Sequence, residues 1–378
     1  MSRVGFDGSP TRRIRVEDIF VPCRQKQGNV MSSYGEVVTN VDQRPRFGAF
    51  VPQGWKQEHA DRSGSEAWRS VVDFAGSAVA AGYDGLWVFD HFETYPDRLA
   101  APLFDPWVTL AGLAQFPTVD LGVLVSCVSY RSVSQLAKQA ACVDILAGGN
   151  RIVVGLGAGW DEDEYARHGV PYRSPRERVR LLEETATALT MLWSQDDVYF
   201  DGKYVQLAGA TCAPRPASPS PPLLIGGDGE RHTLRIAAER ADMVNWQIGL
   251  DQFKKKSAVL RQHCDRADRD FDAIERTHSP NCLLFESRRD YDRWLTRPGA
   301  DRSPAEQNEY NKSRGMFIGT VEDVAEVVSG YHEAGCRGFQ IYFSDGPDTT
   351  SAEAFMSEVV PMVGLTASGP IGNNGEAT

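Results

Sequence analysis

The chain has 378 residues, 42% of them hydrophobic and 10% aromatic, which suits a large core and argues against overall disorder. Lys and Arg total 40 against 51 Asp and Glu, a formal charge of −11, which argues against a protein that holds nucleic acid mainly by electrostatics. No apolar run approaches the ~20 residues of a membrane span, and seven scattered Cys with no CxxC pair suit reduced cytoplasmic thiols better than disulfides or zinc.

Residues 1–44 carry mixed charge without a sustained period and read as an N-terminal extension; their basic cluster lacks the apolar stretch of a signal peptide. Short β-branched runs then alternate with longer amphipathic stretches. Arg46–Pro52 precedes Ser65–Ala81, Gly85–Phe89 precedes Asp105–Gln115, and Asp120–Val125 precedes Ser134–Ala147. Ile152–Leu156 leads into Pro175–Trp193, Leu223–Gly226 into Arg231–Arg240, and Met243–Trp246 into Leu250–Asp268. His278–Phe285 has its helix delayed to Val321–Ala334, and Phe339–Phe343 is followed by Ala352–Val363. Eight strand-then-helix units predict an α/β fold, a (β/α)8 TIM barrel over 45–364, in preference to a doubly wound sheet. The small, polar end, 365–378, reads as a flexible tail.

Two insertions interrupt the pattern. Residues 194–222 contain VYFDGKYVQL, a hairpin with Asp201-Gly202 as its turn, and then a Pro-rich stretch. Residues 286–314 are polar and aperiodic, and read either as a surface loop or as a mobile lid over a substrate.

In such a barrel the chemistry sits on the loops that follow the strands. Strand two ends in Asp90-His91-Phe92-Glu93-Thr94-Tyr95 and strand three in Ser126-Cys127. His91 there is a general acid, a ring-binding donor or a buried structural residue, and Asp90 either orients it or caps the next turn. Glu93, Tyr95 and Cys127 are the competing proton donors. Gly155–Gly159 is G-x-G-x-G followed by the acidic Asp161–Glu164, a poor dinucleotide fingerprint. Small Gly157, Ala158 and Gly159 instead suit a flat ring lying against the backbone beside Trp160. Gly226, Gly227, Asp228 and Gly229 end a strand and open a helix, so their N–H groups suit an anion, with Arg231 and Thr233 as further donors. The His residues lack metal-ligand spacing, GxSxG and Walker sequences are absent, and the predicted strand ends carry no Lys for a Schiff base. Aromatics and glycines at the mouth suit a planar redox cofactor.

The blocks RFGAFVPQGW, GYDGLWVFDHF, LGVLVSCVSYRSVSQLAKQAACVDILAGGNRIVVGLGAGWDEDEYARHG and PLLIGGDGERHTLRIAAERAD carry a resemblance. Together they resemble the luciferase-like monooxygenase superfamily, and are most similar to the branch that uses the deazaflavin coenzyme F420. The resemblance implies a coenzyme phosphate near Gly226–Gly229, His91 beside the ring, and a non-proline cis peptide at Leu124-Val125, just before Ser126. It also implies that Tyr95 and Trp160 stand where the sugar-phosphate dehydrogenases of the branch carry Trp and Glu, which points away from sugar phosphates.

The expected activity is hydride transfer between the deazaflavin and a C=C or C=N bond of a small organic substrate, natural-product intermediates included. The alternatives are an FMN-dependent monooxygenase on the same barrel and a degenerate cofactor-binding protein. No nucleic acid, membrane or metal partner is expected, and homo-oligomers are.

Overall fold

The computed structural model describes residues 44–218 and 220–365, so the expected N-terminal extension and tail lie outside the described residues. Twelve strands follow in chain order: β1 Arg46–Phe50, β2 Gly85–Val88, β3 Asp120–Cys127, β4 Ile152–Gly157, β5 Val198–Asp201 and β6 Gln206–Ala210. Then come β7 Leu223–Gly226, β8 Met243–Trp246, β9 Glu275–His278, β10 Asn281–Leu284, β11 Phe317–Gly319 and β12 Gly338–Phe343. Strands β1, β2, β3, β4, β7, β8, β9 and β12 are parallel neighbours in that order, and β12 pairs back with β1. That closure makes the expected eight-stranded barrel, with helices outside it.

Alternation along the strands separates two packed layers. Phe47, Ala49, Leu121, Val123, Val154 and Ile341 join the large core under the helices. Phe50, Trp87, Val153, Leu224, Met243 and Tyr342 form a second cluster inside the ring. Trp87 owes its room to glycines on its own strand and on both neighbours, because a Cβ on Gly48 or Gly122 would lie 2.3 or 2.4 Å from its indole, and one on Gly85 3.1 Å. Two polar groups within the ring and at its lower end are paired internally. Asn245 donates to Thr277 Oγ1 and Gln340 Oε1 at 2.9 and 2.8 Å, and Arg46 pairs with Asp120.

The structure departs from the sequence expectation in three places. The seventh strand is split: Glu275–His278 stays in the ring, while Asn281–Leu284 turns outward to pair with β11 and the far end of β12. Pro280 between them has no N–H to give to a ladder. The aperiodic 286–314 stretch contains two helices, Arg288–Leu295 and Pro304–Arg314. The second is exposed on nearly every side and shows no apolar period; its ends are set locally by the Ser303–Glu306 capping box, Pro304 and a left-handed Gly315. A short helix, Glu162–Arg167, also follows β4, capped by Asp161.

The other insertion forms the expected hairpin, β5 against β6, but Asp201 pairs with Gln206 in the ladder and the turn is the four residues Gly202–Val205 rather than Asp201-Gly202. It is fastened by one carboxylate. Glu184, 1% exposed on helix Pro175–Ser194, accepts hydrogen bonds from the backbone N–H groups of Lys203, Tyr204 and Val205 at 3.1, 2.7 and 3.0 Å. Gly202 leaves the space, since a Cβ there would lie 2.5 Å from Glu184 Oε2. Glu184→Ala is expected to lower the unfolding free energy by about 2–4 kcal/mol and to speed protease cleavage within 202–205. Chemical denaturation and limited proteolysis check this; an unchanged midpoint would show that the hairpin does not depend on the anchor.

Candidate active site

The loops after β2, β3 and β4 meet at the C-terminal mouth of the barrel, where four backbone or side-chain donors converge on Glu164. Its Oε2 accepts from His91 Nδ1 at 3.0 Å and from the Tyr130 hydroxyl. Its Oε1 accepts from the N–H groups of Phe92 and Glu93 at 2.7 and 3.1 Å. Burial alone would raise the carboxyl, but the hydrogen bonds and charge of His91, with those of Tyr130 and Phe92, outweigh it and hold Glu164 at about 2. Glu164 is therefore an anion, Nδ1 of His91 carries the hydrogen, and Nε2 is the ring atom left for a ligand. On its face His91 is stacked by Trp55, with ring centres 4.3 Å apart and planes 1° from parallel.

Asp90 is engaged elsewhere and does not orient His91. Its Oδ2 accepts from the backbone N–H of Cys127 at 3.0 Å and from Arg131 at 2.6 Å, tying the end of β2 to the end of β3. The other candidate donors are distributed unevenly. Tyr95, 40% exposed, and Trp160, 56% exposed, stand edge to face at the rim, and Trp160 also meets His91 edge-on. Glu93 is turned to Arg167 at 2.6 Å and His168 at 3.3 Å, away from the His91 ring. Cys127 is buried against the Tyr165 hydroxyl, 2.8 Å away, and burial pushes its thiol up to about 11.

The Leu124-Val125 peptide is cis, as the resemblance implied, and the β3–β4 register shifts between Val123 and Ser126. The glycines expected to make room for a ring make room first for Val125. A Cβ on Gly157 would lie 2.4 Å from its Cγ2, and Cβ atoms on Gly226 and Gly155 would lie 2.8 and 3.0 Å from its Cγ1. Gly159 likewise yields to the Tyr165 hydroxyl and the Cys127 sulfur. What surfaces is half-buried Leu124 and Val125, next to Ala158, with the Ser126 hydroxyl buried and without a partner.

Beyond β7, Gly227 has φ +116, and Gly227, Asp228, Gly229 and Arg231 are all exposed. The helix Thr233–Arg240 starts two residues later than expected, and no side chain caps its N-terminus. The Leu234 N–H donates to the Gly229 carbonyl at 3.0 Å and the Gly227 N–H to that of Asn245, which leaves the Thr233 N–H and hydroxyl, the latter 2.8 Å from where a Gly229 Cβ would be, for an anion. A planar ring on the Leu124–Val125 bulge with a phosphate on this turn fits the residues present.

Sequence reasoning missed Glu164, Tyr130, Trp55 and Lys56 as parts of the site. Asp161-x-x-Glu164 was legible as a helix start, but six residues are too few for an amphipathic pattern. Lys56 stands four residues beyond Pro52, the predicted end of strand one, so the mouth does carry a lysine.

A family model for luciferase-like monooxygenases matches residues 46–315. An F420-dependent glucose-6-phosphate dehydrogenase of Kineococcus radiotolerans is 27% identical over 78% of this chain and 92% of its own length. An uncharacterized protein of Mycobacterium tuberculosis is 34% identical over 39% of this chain, and the match spans about half, 51%, of that relative. Among solved structures, an F420-dependent secondary alcohol dehydrogenase with an F420-acetone adduct aligns with a TM-score of 0.68 at 20% identity, over 85% of this chain and 99% of its own. The EDTA monooxygenase of Chelativorans sp. BNC1 aligns with 0.69 at 17%, over 85% and 94%, so these likenesses speak for the fold.

The depressed Glu164 carboxyl has a consequence for stability. From an ordinary 4.5 to about 2 in the fold, it contributes stability above pH 4.5 that is lost as the pH falls towards 2. Glu164→Gln is expected to be less stable than the wild type by roughly 3 kcal/mol near pH 6. That gap should narrow on acidification through this window. Denaturant titrations at stepped pH read it, and a gap of constant size would refute the assignment.

Proposed function

Since the chain belongs to the luciferase-like monooxygenase family of oxidoreductases, we propose that it is a coenzyme F420-dependent enzyme. It moves a hydride between the deazaflavin and a C=C or C=N bond of a small organic substrate. The observation that carries this reading is the pairing of a clamped His91 with the Leu124–Val125 bulge and the uncapped Gly226–Gly229 turn. The F420-dependent relative that aligns over most of both chains supports the choice of coenzyme.

When bound, the deazaflavin supplies or accepts the hydride. The protein's residues bind, orient and handle the proton. The exposed turn after β7, with the Thr233 N–H and hydroxyl, would hold the phosphate. Leu124 and Val125 would support the ring, with the Ser126 hydroxyl buried behind them. Glu164 fixes the His91 tautomer, so Nε2 is the atom that holds or takes the proton that accompanies hydride transfer. Tyr95 and Trp160 keep water from the reacting bond and offer flat apolar faces. They stand where the resemblance puts Trp and Glu, and without that carboxylate the mouth suits an organic acceptor better than a sugar phosphate.

Anaerobic titration with the deazaflavin and, separately, with FMN tests the reading. Micromolar binding of the deazaflavin with FMN much weaker is the expected result. The reverse preference would overturn it in favour of an oxygen-using flavin enzyme. His91→Ala is expected to keep deazaflavin affinity within about tenfold while turnover falls by roughly 10²–10⁴.

A further inference from the structure

Lys56 belongs neither to the coenzyme cradle nor to the Glu164 network, yet it stands at the rim between them and solvent. It follows Trp55 in the loop after β1, with its ammonium nitrogen 4.0 Å from the Trp55 ring centre and 4.5 Å from that of Tyr95. Trp55 is the ring that stacks on His91. The side chain is half-buried and, among the described residues, takes part in none of the ion pairs.

A cation in that position has given up water and received ring faces in exchange, not a counter-ion. The opposite charge acting on it is Glu58, two residues along, whose Oε2 is buried and lacks a hydrogen-bond partner. Burial pushes the Glu58 carboxyl up and the Lys56 ammonium down to about 8, so each is a poor partner for the other. Beside Lys56 lies large apolar surface that the fold leaves bare: Tyr95 at 40% and, against it, Trp160 at 56% exposure. A half-buried cation at the edge of exposed ring faces matches a ligand with an anionic head and a flat apolar body.

We propose that Lys56 is the substrate-recognition residue of this mouth, and that the substrate is a planar, largely apolar carboxylic acid. Its carboxylate meets the Lys56 ammonium and its body lies along Tyr95 and Trp160. The inference deepens the hydride-transfer reading by naming the acceptor's class. The charge requirement holds whichever coenzyme occupies the cradle.

The test uses the full chain and a matched pair of probes, cinnamate and its neutral methyl ester, titrated by calorimetry with and without the deazaflavin. The acid is expected to bind at least about tenfold more tightly than the ester. Lys56→Gln should remove that preference and Lys56→Arg should keep most of it, with deazaflavin affinity unchanged in both variants. Equal affinity for acid and ester overturns the proposal, as does no measurable binding of either at millimolar concentration. So does a preference that survives in Lys56→Gln. If the deazaflavin does not bind while the acid preference holds, the coenzyme reading fails and the role of Lys56 stands.

Discussion

The mouth of this barrel depends on one buried carboxylate. Glu164, 1% exposed, accepts two backbone N–H groups and the His91 imidazole from the loop after β2, and the Tyr130 hydroxyl from the loop after β3. A buried anion is costly unless its lone pairs are filled, and here four donors fill them. The same bonds give the β2 loop its path and His91 its tautomer. Asp90 and Arg131 make a second tie a few ångströms of backbone away, joining β2 to β3 and, through Asp105, to the helix Pro106–Leu113. The loops after three consecutive strands are thereby held as one body, which is what a proton-handling group needs if its reach is to be constant.

The opposite side of the mouth is built by subtraction. Three glycines, at 155, 157 and 226, are short of the atoms that Val125 occupies, so the bulge of β3 sits down between β4 and β7. A side chain at Gly157 or Gly226 would push Val125 up into the space assigned to the ring, and one at Gly155 would first strike the Val123 carbonyl oxygen, 2.1 Å from its Cβ. Farther along, the turn after β7 keeps N–H groups uncapped where an ordinary helix would spend a Ser or Asp on them. The two halves therefore differ in kind: carboxylate, imidazole and rings on the β2 and β4 side, backbone and small residues in the proposed coenzyme cradle.

Much of this was legible in the sequence because it is local. Eight apolar runs spaced by amphipathic stretches determine the barrel, and His91 and Gly226–Gly229 fall at strand ends whatever the details of packing. The parts that were not legible depend on long-range meetings. Glu164 looks like one of four exposed acids at 161–164 until the helix Glu162–Arg167 is seen to point it under the β2 loop. Asp90 and Glu164 are equally good partners for His91 on paper, and only the approach of Arg131 and Cys127 N–H to Asp90 decides between them. The two helices within 286–314 escaped for other reasons: Pro304–Arg314 buries so little that hydrophobic period carries no signal, and Arg288–Leu295, with Tyr291, Trp294 and Leu295 on one face, is only eight residues long and otherwise charged.

The rim sets a physical limit on what the site accepts. Trp55 is held on both faces of its surroundings, by His91 on one ring contact and by Phe89 at 4.4 Å on another. Tyr95 meets Trp55 at 5.7 Å and Trp160 meets His91 at 5.8 Å, yet 40% and 56% of these residues remain in water. Folding gains little from an aromatic ring left that bare, so their contribution must come when something covers them. A small hydrophilic substrate would leave those faces wet and Lys56 without a counter-charge. A flat apolar body with one anionic end removes both defects at once, and it does so within reach of the one imidazole whose free nitrogen the fold has already oriented.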